Sequence, residues 1–291
     1  MPVRDLAVSA HLHPPRAAVV DAVRLALAED LLPLGDLTAV LLPPNACTRA
    51  TIVAREEGVL AGQACVTETY AQLDGAVSVE WMPAEGSAFT AGDELAVVSG
   101  PLAAVLTGER TALNFLRHLS GVATLTRRFV ELAESASGGR TRILDTRKTT
   151  PGLRALEKAA VRAGGGANHR ANLSDAVMVK DNHLAGLSIA VAVDAAKRTW
   201  PGRPVHVECD TLEQLDEILA TQADRAMVDN FSLEDVRCAV GRCAGRIELE
   251  VTGGVSLATV AAYAAAGPDF ISVGALTHSA GVVDLGLDVG T

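Results

Sequence analysis

At 291 residues the chain has room for one large α/β domain or two unequal ones. Its net charge of −10 argues against general nucleic-acid binding, which needs a basic face. No apolar run approaches the roughly 18 residues of a membrane span. Aromatic residues are only 3% of a sequence that is 49% hydrophobic, so the core must be built mainly from Ala, Val and Leu, as in helix-covered parallel sheets. Early in the chain, Asp5 and the Pro14-Pro15 pair stand where an export signal would carry a basic stretch and then an apolar one, so a cytoplasmic location is expected. The five cysteines form no C-x-x-C pair and read as reduced thiols, with no disulfide frame or zinc site.

In chain order, residues 15–29 carry Val19, Val20, Val23 and Leu27 at helical spacing, with proline in the first turn. After the loop "DLLPLGDLT", the runs "TRATIVAREE" and "GAVSVEWMP" read as strands. "AEGSAFTAGDELAVVSG" is turn and strand, punctuated by Gly86, Gly92 and Gly100, and residues 101–137 read as helix. The first 115 or so residues thus suggest a helix and an antiparallel sheet. Beyond Arg140, short apolar runs recur: "RILDTR", "AVMVKDN", "PVHVECD", "RAMVDN", "RIELEVTGG" and "DFISVGAL". Between the later runs lie helical segments such as "TLEQLDEILATQ" and "SLATVAAYAAAG". This alternation predicts βα units and an incomplete parallel α/β barrel, with an open doubly wound sheet as the alternative.

Each run ends in a polar or glycine residue: Arg147, Lys180, Glu208, Asp229, Gly253 and Gly274. In a barrel such positions converge on one face. Arg147 and Lys148 precede Thr149-Thr150-Pro151-Gly152, a hydroxyl-bearing turn suited to an anion. Arg154, Lys158 and Arg162 are spaced by four, on one helix face, with Glu157 partly offsetting them; Arg154 and Arg162 taken alone read as a solvated surface. Gly164-Gly165-Gly166 frees the backbone ahead of His169 and Arg170, both able to donate to a carboxylate. Lys180 is either an anion clamp or a Schiff-base amine. Glu208 and Asp229 suit Mg²⁺, ribose hydroxyls or a developing positive charge. "VTGGV" and "SVGAL" place glycines where barrels bind phosphate through backbone N–H groups. His11, His13, His118, His206 and His278 show no ligand spacing, and His183 is at most a neighbour of Lys180.

The blocks "DTRKTTPGLRALEKAAVRAGGGANHR", "MVKDNH", "VECD", "MVDNF" and "ISVGALTHS", in this order and spacing, resemble the quinolinate phosphoribosyltransferase family. "EDLLPLGDLT" and "ALNFLRHLSGVAT" resemble its amino-terminal portion. The resemblance runs from about residue 16 to 285. It implies an amino-terminal α/β sandwich domain over residues 1–116, joined by residues 280–291, and an incomplete barrel over 117–279. It further implies a cytoplasmic homodimer whose active site is completed across the interface. The implied reaction joins quinolinate to phosphoribosyl pyrophosphate (PRPP) with Mg²⁺, giving nicotinate mononucleotide, pyrophosphate and CO₂ in NAD biosynthesis.

By the same resemblance, Arg147, His169, Arg170 and Lys180 match positions that hold the quinolinate carboxylates and nearby phosphates, and Lys148 matches a lysine on the pyrophosphate side. Arg110 looks like the arginine reached in from the partner subunit. Glu208 and Asp229 match the ribose and Mg²⁺ carboxylates, and Gly253, Gly254, Ser272 and Gly274 match the 5′-phosphate loops. The chain departs from the family pattern at Cys209, where an aliphatic residue is usual, and at "EVTGGV", where "EASGG" is usual. Alternation turns Cys209 away from Glu208, and Thr252 keeps a hydroxyl. Three other readings stay open: a molybdenum-utilisation paralogue acting on a different acid, a Schiff-base aldolase built on Lys180, and a phosphate- or nucleotide-sensing protein without turnover.

Overall fold

The computed structural model describes residues 12–184 and 186–290. Asp5, used in the reading against an export signal, and His11 lie outside these. In chain order the elements are α1 (Arg16–Leu31), β1 (Cys47–Ala54), β2 (Gly58–Val59), α2 (Gln63–Leu73), β3 (Ser78–Trp81), β4 (Ala88–Phe89), β5 (Glu94–Pro101), α3 (Leu102–Ser137) and β6 (Arg142–Leu144). There follow α4 (Arg154–Ala163), β7 (Val177–Val179), α5 (Asp181–Leu184), α6 (Ile189–Thr199), β8 (Val205–Cys209), α7 (Leu212–Leu219) and β9 (Arg225–Asp229). The last are α8 (Leu233–Cys243), β10 (Glu248–Thr252), α9 (Val260–Ala266), β11 (Phe270–Ser272), α10 (Ala275–His278) and β12 (Leu285–Val289).

Two compact units result. One holds the chain through Arg127, Thr149–Gly165 and the residues from Thr277 onward; the other holds Arg128–Lys148 and Gly166–Leu276. In the first, a four-stranded antiparallel sheet runs in the order β12-β1-β5-β3. Alternation along β1 buries Ala50, Ile52 and Ala54 on one face, where they join Val66 and Tyr70 of α2 and Val105, Leu113 and Leu116 of α3 in one apolar cluster. The helix expected from residue 15 is α1, and it buries Val19, Val23 and Leu27 along one stripe.

This unit also contains α4, the connection between β6 and β7. The spacing of Arg154, Lys158 and Arg162 is helical as expected, but the face is only partly solvated. Lys158 is buried, Arg154 Nε donates to Thr149 Oγ1 at 3.1 Å, and Arg162 donates to the carbonyl of His13 at 3.1 Å. Glu157, fully buried, lies 2.9 Å from His118 Nε2 and accepts the Thr150 N–H at 3.1 Å. Local charge spacing cannot show that chain so distant in sequence covers a helix.

The second unit is a six-stranded parallel sheet in the order β6-β11-β10-β9-β8-β7. Neighbours in space are neighbours in sequence except across β6 and β11, and no switch point reverses the winding. That is barrel order with the β6–β7 closure missing, so the doubly wound alternative falls away. The β6 edge is instead met by Ala167, bridged in parallel to Leu144. Three of its helices, α6, α7 and α8, start where the sequence supplies an N-cap: Ser188, Thr211 and Ser232 accept from the backbone N–H three residues on. Each such cap contributes about 1 kcal/mol.

Candidate active site

At the carboxyl ends of these strands lies a cavity of about 300 Å³. Its lining includes Arg147 and Lys148 after β6, His169 and Arg170 after Ala167, Lys180 after β7, Glu208 on β8, Asp229 on β9, Gly253 after β10 and Ser272 on β11. Residues expected at the site from nine separate positions are therefore brought together. Gly254 and Gly274 adjoin this group in sequence but are not on the lining. Arg110 belongs to the other unit, on α3, with its side chain 60% exposed and Glu109 Oε1 at 3.6 Å.

Pairing register explains the convergence. Glu208, Met227 and Glu250 lie opposite one another on β8, β9 and β10, with Asp229 opposite Thr252 two residues on. Residues two apart share a face, so His206, Arg225 and Glu248 form the next layer down. The sheet thus turns a face of charge inward, while Val207, Ala226, Val228, Leu249 and Val251 are buried on the opposite face.

Local bonds hold the charged groups. Lys180 Nζ lies 2.5 Å from Glu208 Oε2. His183 Nδ1 accepts the Lys180 backbone N–H at 3.1 Å, which makes it a neighbour of Lys180 in fact. Arg170 Nη1 donates to the carbonyl of Ala176 at 2.9 Å. Burial, reinforced by neighbouring Arg147 and opposed by Asp175, depresses the Arg170 guanidinium, the mark of cations crowded toward one space. The Lys148 N–H donates to Thr146 Oγ1 at 3.0 Å. Asn230 Nδ2 donates to Asp229 Oδ2 at 2.9 Å. At Gly253, φ is +83° and an added Cβ would stand 2.3 Å from Asn230 Oδ1, so only glycine fits.

Beneath the cations are groups that the sequence reading missed. Glu250 is fully buried, 2.8 Å from Arg225 Nη1 and 3.3 Å from His169 Nε2. Burial alone would raise its carboxyl, but His169 and Arg225 outweigh it and bring the group below its usual value. His206, assigned no role in the sequence, packs edge-on to His169 with ring centroids 5.4 Å apart. Burial first, then Arg225 and His169, push it down to about 4. Alternation in "ELEVT" was the available signal, but it does not say which face lies inside.

Among the described residues there is no cluster of three or more His, Cys, Asp and Glu side chains fit to cage a metal, and no disulfide. Cys209 is buried, as its alternation with Glu208 predicts, and burial pushes its thiol up to about 12. No helix of the described residues is long and apolar enough to cross a membrane.

A parallel α/β barrel unit with cations and carboxylates facing each other at its carboxyl mouth is the architecture of an anion-handling barrel enzyme. This chain belongs to the quinolinate phosphoribosyl transferase family: the model of that family's C-terminal domain matches residues 122–288, and that of its N-terminal domain matches residues 36–120. It is 41% identical over 280 residues to the carboxylating nicotinate-nucleotide pyrophosphorylase of Mycobacterium leprae, covering 94% of this chain and 97% of the relative. A probable carboxylating nicotinate-nucleotide pyrophosphorylase of Bacillus subtilis is 41% identical over 257 residues, covering 88% of each chain. The solved structure of the nicotinate-nucleotide pyrophosphorylase from Francisella tularensis superposes with a TM-score of 0.91 at 41% identity, covering 96% of this chain and 98% of that one.

Proposed function

We propose that this chain transfers the phosphoribosyl group of PRPP to quinolinate with loss of CO₂, making nicotinate mononucleotide and pyrophosphate for NAD biosynthesis. The observation that carries this reading is the single cavity in which Arg147, Lys148, Arg170 and Lys180 face Glu208 and Asp229. Quinolinate brings two carboxylates, and PRPP a phosphate and a pyrophosphate. Gathering those anions in a low-dielectric pocket demands a cationic lining. The family membership and the names of the relatives point the same way.

Arg147, His169, Arg170 and Lys180 form the quinolinate side, Lys148 the pyrophosphate side, and Gly253, Gly254, Ser272 and Gly274 the 5′-phosphate side. As the bond from ribose C1 to pyrophosphate oxygen breaks, positive charge grows at C1, and Glu208 and Asp229 set negative charge beside it and position the ribose hydroxyls. The pyridine nitrogen supplies the electron pair for the new C1–N bond, so no protein nucleophile is needed. The quaternised ring then accepts the electrons of the departing carboxylate carbon, CO₂ leaves, and the ring carbon takes a proton. Catalysis is alignment and electrostatic stabilisation. The cavity lining offers the carboxylates of Glu208 and Asp229, hard oxygen donors of the kind Mg²⁺ takes while it keeps waters and substrate phosphates in its shell. Glu208 and Asp229 would hold it, and it would neutralise charge on the pyrophosphate.

The reading extends to a cytoplasmic homodimer that places Arg110 in the partner's site. Supporting it, Leu32, Leu34, Leu37, Val40 and Leu41 are between 67% and 80% exposed, an apolar stretch suited to cover by a second copy. A Schiff-base role for Lys180 is disfavoured, since that chemistry wants an apolar setting and Lys180 is ion-paired.

The test is mass spectrometry of the purified protein with PRPP and Mg²⁺, offering quinolinate or nicotinate separately. Nicotinate mononucleotide from quinolinate, with CO₂ release, is expected. Product from nicotinate alone would overturn the dicarboxylate assignment, and no product from either would favour a paralogue with a different acid.

A further inference from the structure

A carboxylate on the floor of a pocket built for anions works against their binding unless it serves another end. Glu250 is such a group, fully buried and on the cavity lining. One of its partners, Arg225, is committed elsewhere: it also donates to Glu248 Oε2 at 2.9 and 2.7 Å and stacks over the Phe270 ring at 4.0 Å. Arg225 therefore fixes Glu250 in place.

Glu250 in turn faces His169 Nε2 at 3.3 Å. The other ring nitrogen, Nδ1, accepts the backbone N–H of Arg170 at 2.7 Å. The backbone N–H of His169 itself donates at 2.8 Å to Asp145, a fully buried carboxylate that also accepts from Asn168 Nδ2 at 2.6 Å. His169 is thus held at its backbone N–H and at Nδ1, and its Nε2 stands within ion-pair reach of Glu250. Its ring also fixes the backbone of Arg170, whose guanidinium is anchored at the other end by Ala176.

We infer that Glu250 is a positioning residue for recognition of the dicarboxylate substrate: anchored by Arg225, it sets the His169 ring, and His169 sets Arg170. The inference rests on the function proposed above. It assigns Glu250 no contact with the reacting atoms and predicts an effect confined to one substrate.

Two measurements test it. In the unliganded wild-type protein, ¹⁵N NMR of the histidine side chains should show His169 with a bare, accepting Nδ1 and a protonated Nε2; the opposite tautomer overturns the clamp. In steady-state kinetics, Glu250→Ala should raise KM for quinolinate about tenfold or more, the scale of one lost charge-assisted hydrogen bond. KM for PRPP should stay within about twofold, and Glu250→Gln, which keeps an accepting oxygen, should recover most of the loss. Equal rises in both KM values, or an unchanged KM for quinolinate in a variant that melts like wild type, overturn the inference. Should the alanine variant not fold, the wild-type tautomer and the glutamine variant still decide. Wild-type protein that makes no nucleotide would refute the proposed function, and the tautomer would then report on the clamp separately.

Discussion

The two sheets of this protein use the same two-residue period to opposite ends. In β1 alternation hides Ala50, Ile52 and Ala54 in an apolar cluster. In β8, β9 and β10 it hides His206, Arg225 and Glu250 on the inward face and apolar residues on the other. One sheet spends its covered face on cohesion. The other, covered on both, can give one face to chemistry because the outer one supplies the packing. Substitutions inside the first should move stability and leave kinetics alone; substitutions of the charged groups at the mouth of the second should do the reverse.

The contrast can be broken in order of expected size. Glu208→Ala should lower turnover about a hundredfold or more, as removal of a group aimed at transition-state charge does, with a melting temperature close to wild type. Unchanged turnover would remove Glu208 from the role proposed for it. Ile52→Ala, at a position 1% exposed, should cost about 2–5 kcal/mol in denaturant unfolding with both KM values unchanged. A kinetic effect there would mean that the apolar sheet reaches the chemistry.

The smallest effect is one of pH. His206 is held uncharged by burial, Arg225 and His169, and is pushed down from 6.5 to about 4. Its folded value is depressed, so its contribution is intact above pH 6.5 and is lost as pH falls toward 4, where the unfolded chain takes up a proton that the folded chain refuses. Thermal melts across that window should lose about 1–3 kcal/mol, and His206→Gln should flatten the slope. An unchanged slope would show that another group carries the acid sensitivity.

How far the sequence spoke differs between the same two regions. The strands beyond Arg140 were legible because each apolar run is short, ends in a polar or glycine residue, and is followed by a helical segment. Cations and carboxylates at those ends were legible for the same reason. Glu250 was not, because "ELEVT" alternates equally well for either choice of inside; His206 and Arg225 share the face of Glu208 and Asp229 but lie two and four residues before the strand ends where charge was sought. The burial of α4 was hidden for a different reason: Arg162 finds its acceptor at His13, which no local window contains.

The ion pair between Lys180 and Glu208 has a consequence for selectivity. In that pair the cation has its counter-charge within the chain. On the proposed function, a small inorganic anion that displaces Glu208 would take from that carboxylate the cation it is paired with. A ligand that brings an acidic group for Lys180 together with hydroxyls for Glu208 satisfies both at once. On the proposed function, the pair would favour occupants that carry both kinds of chemistry over simple anions.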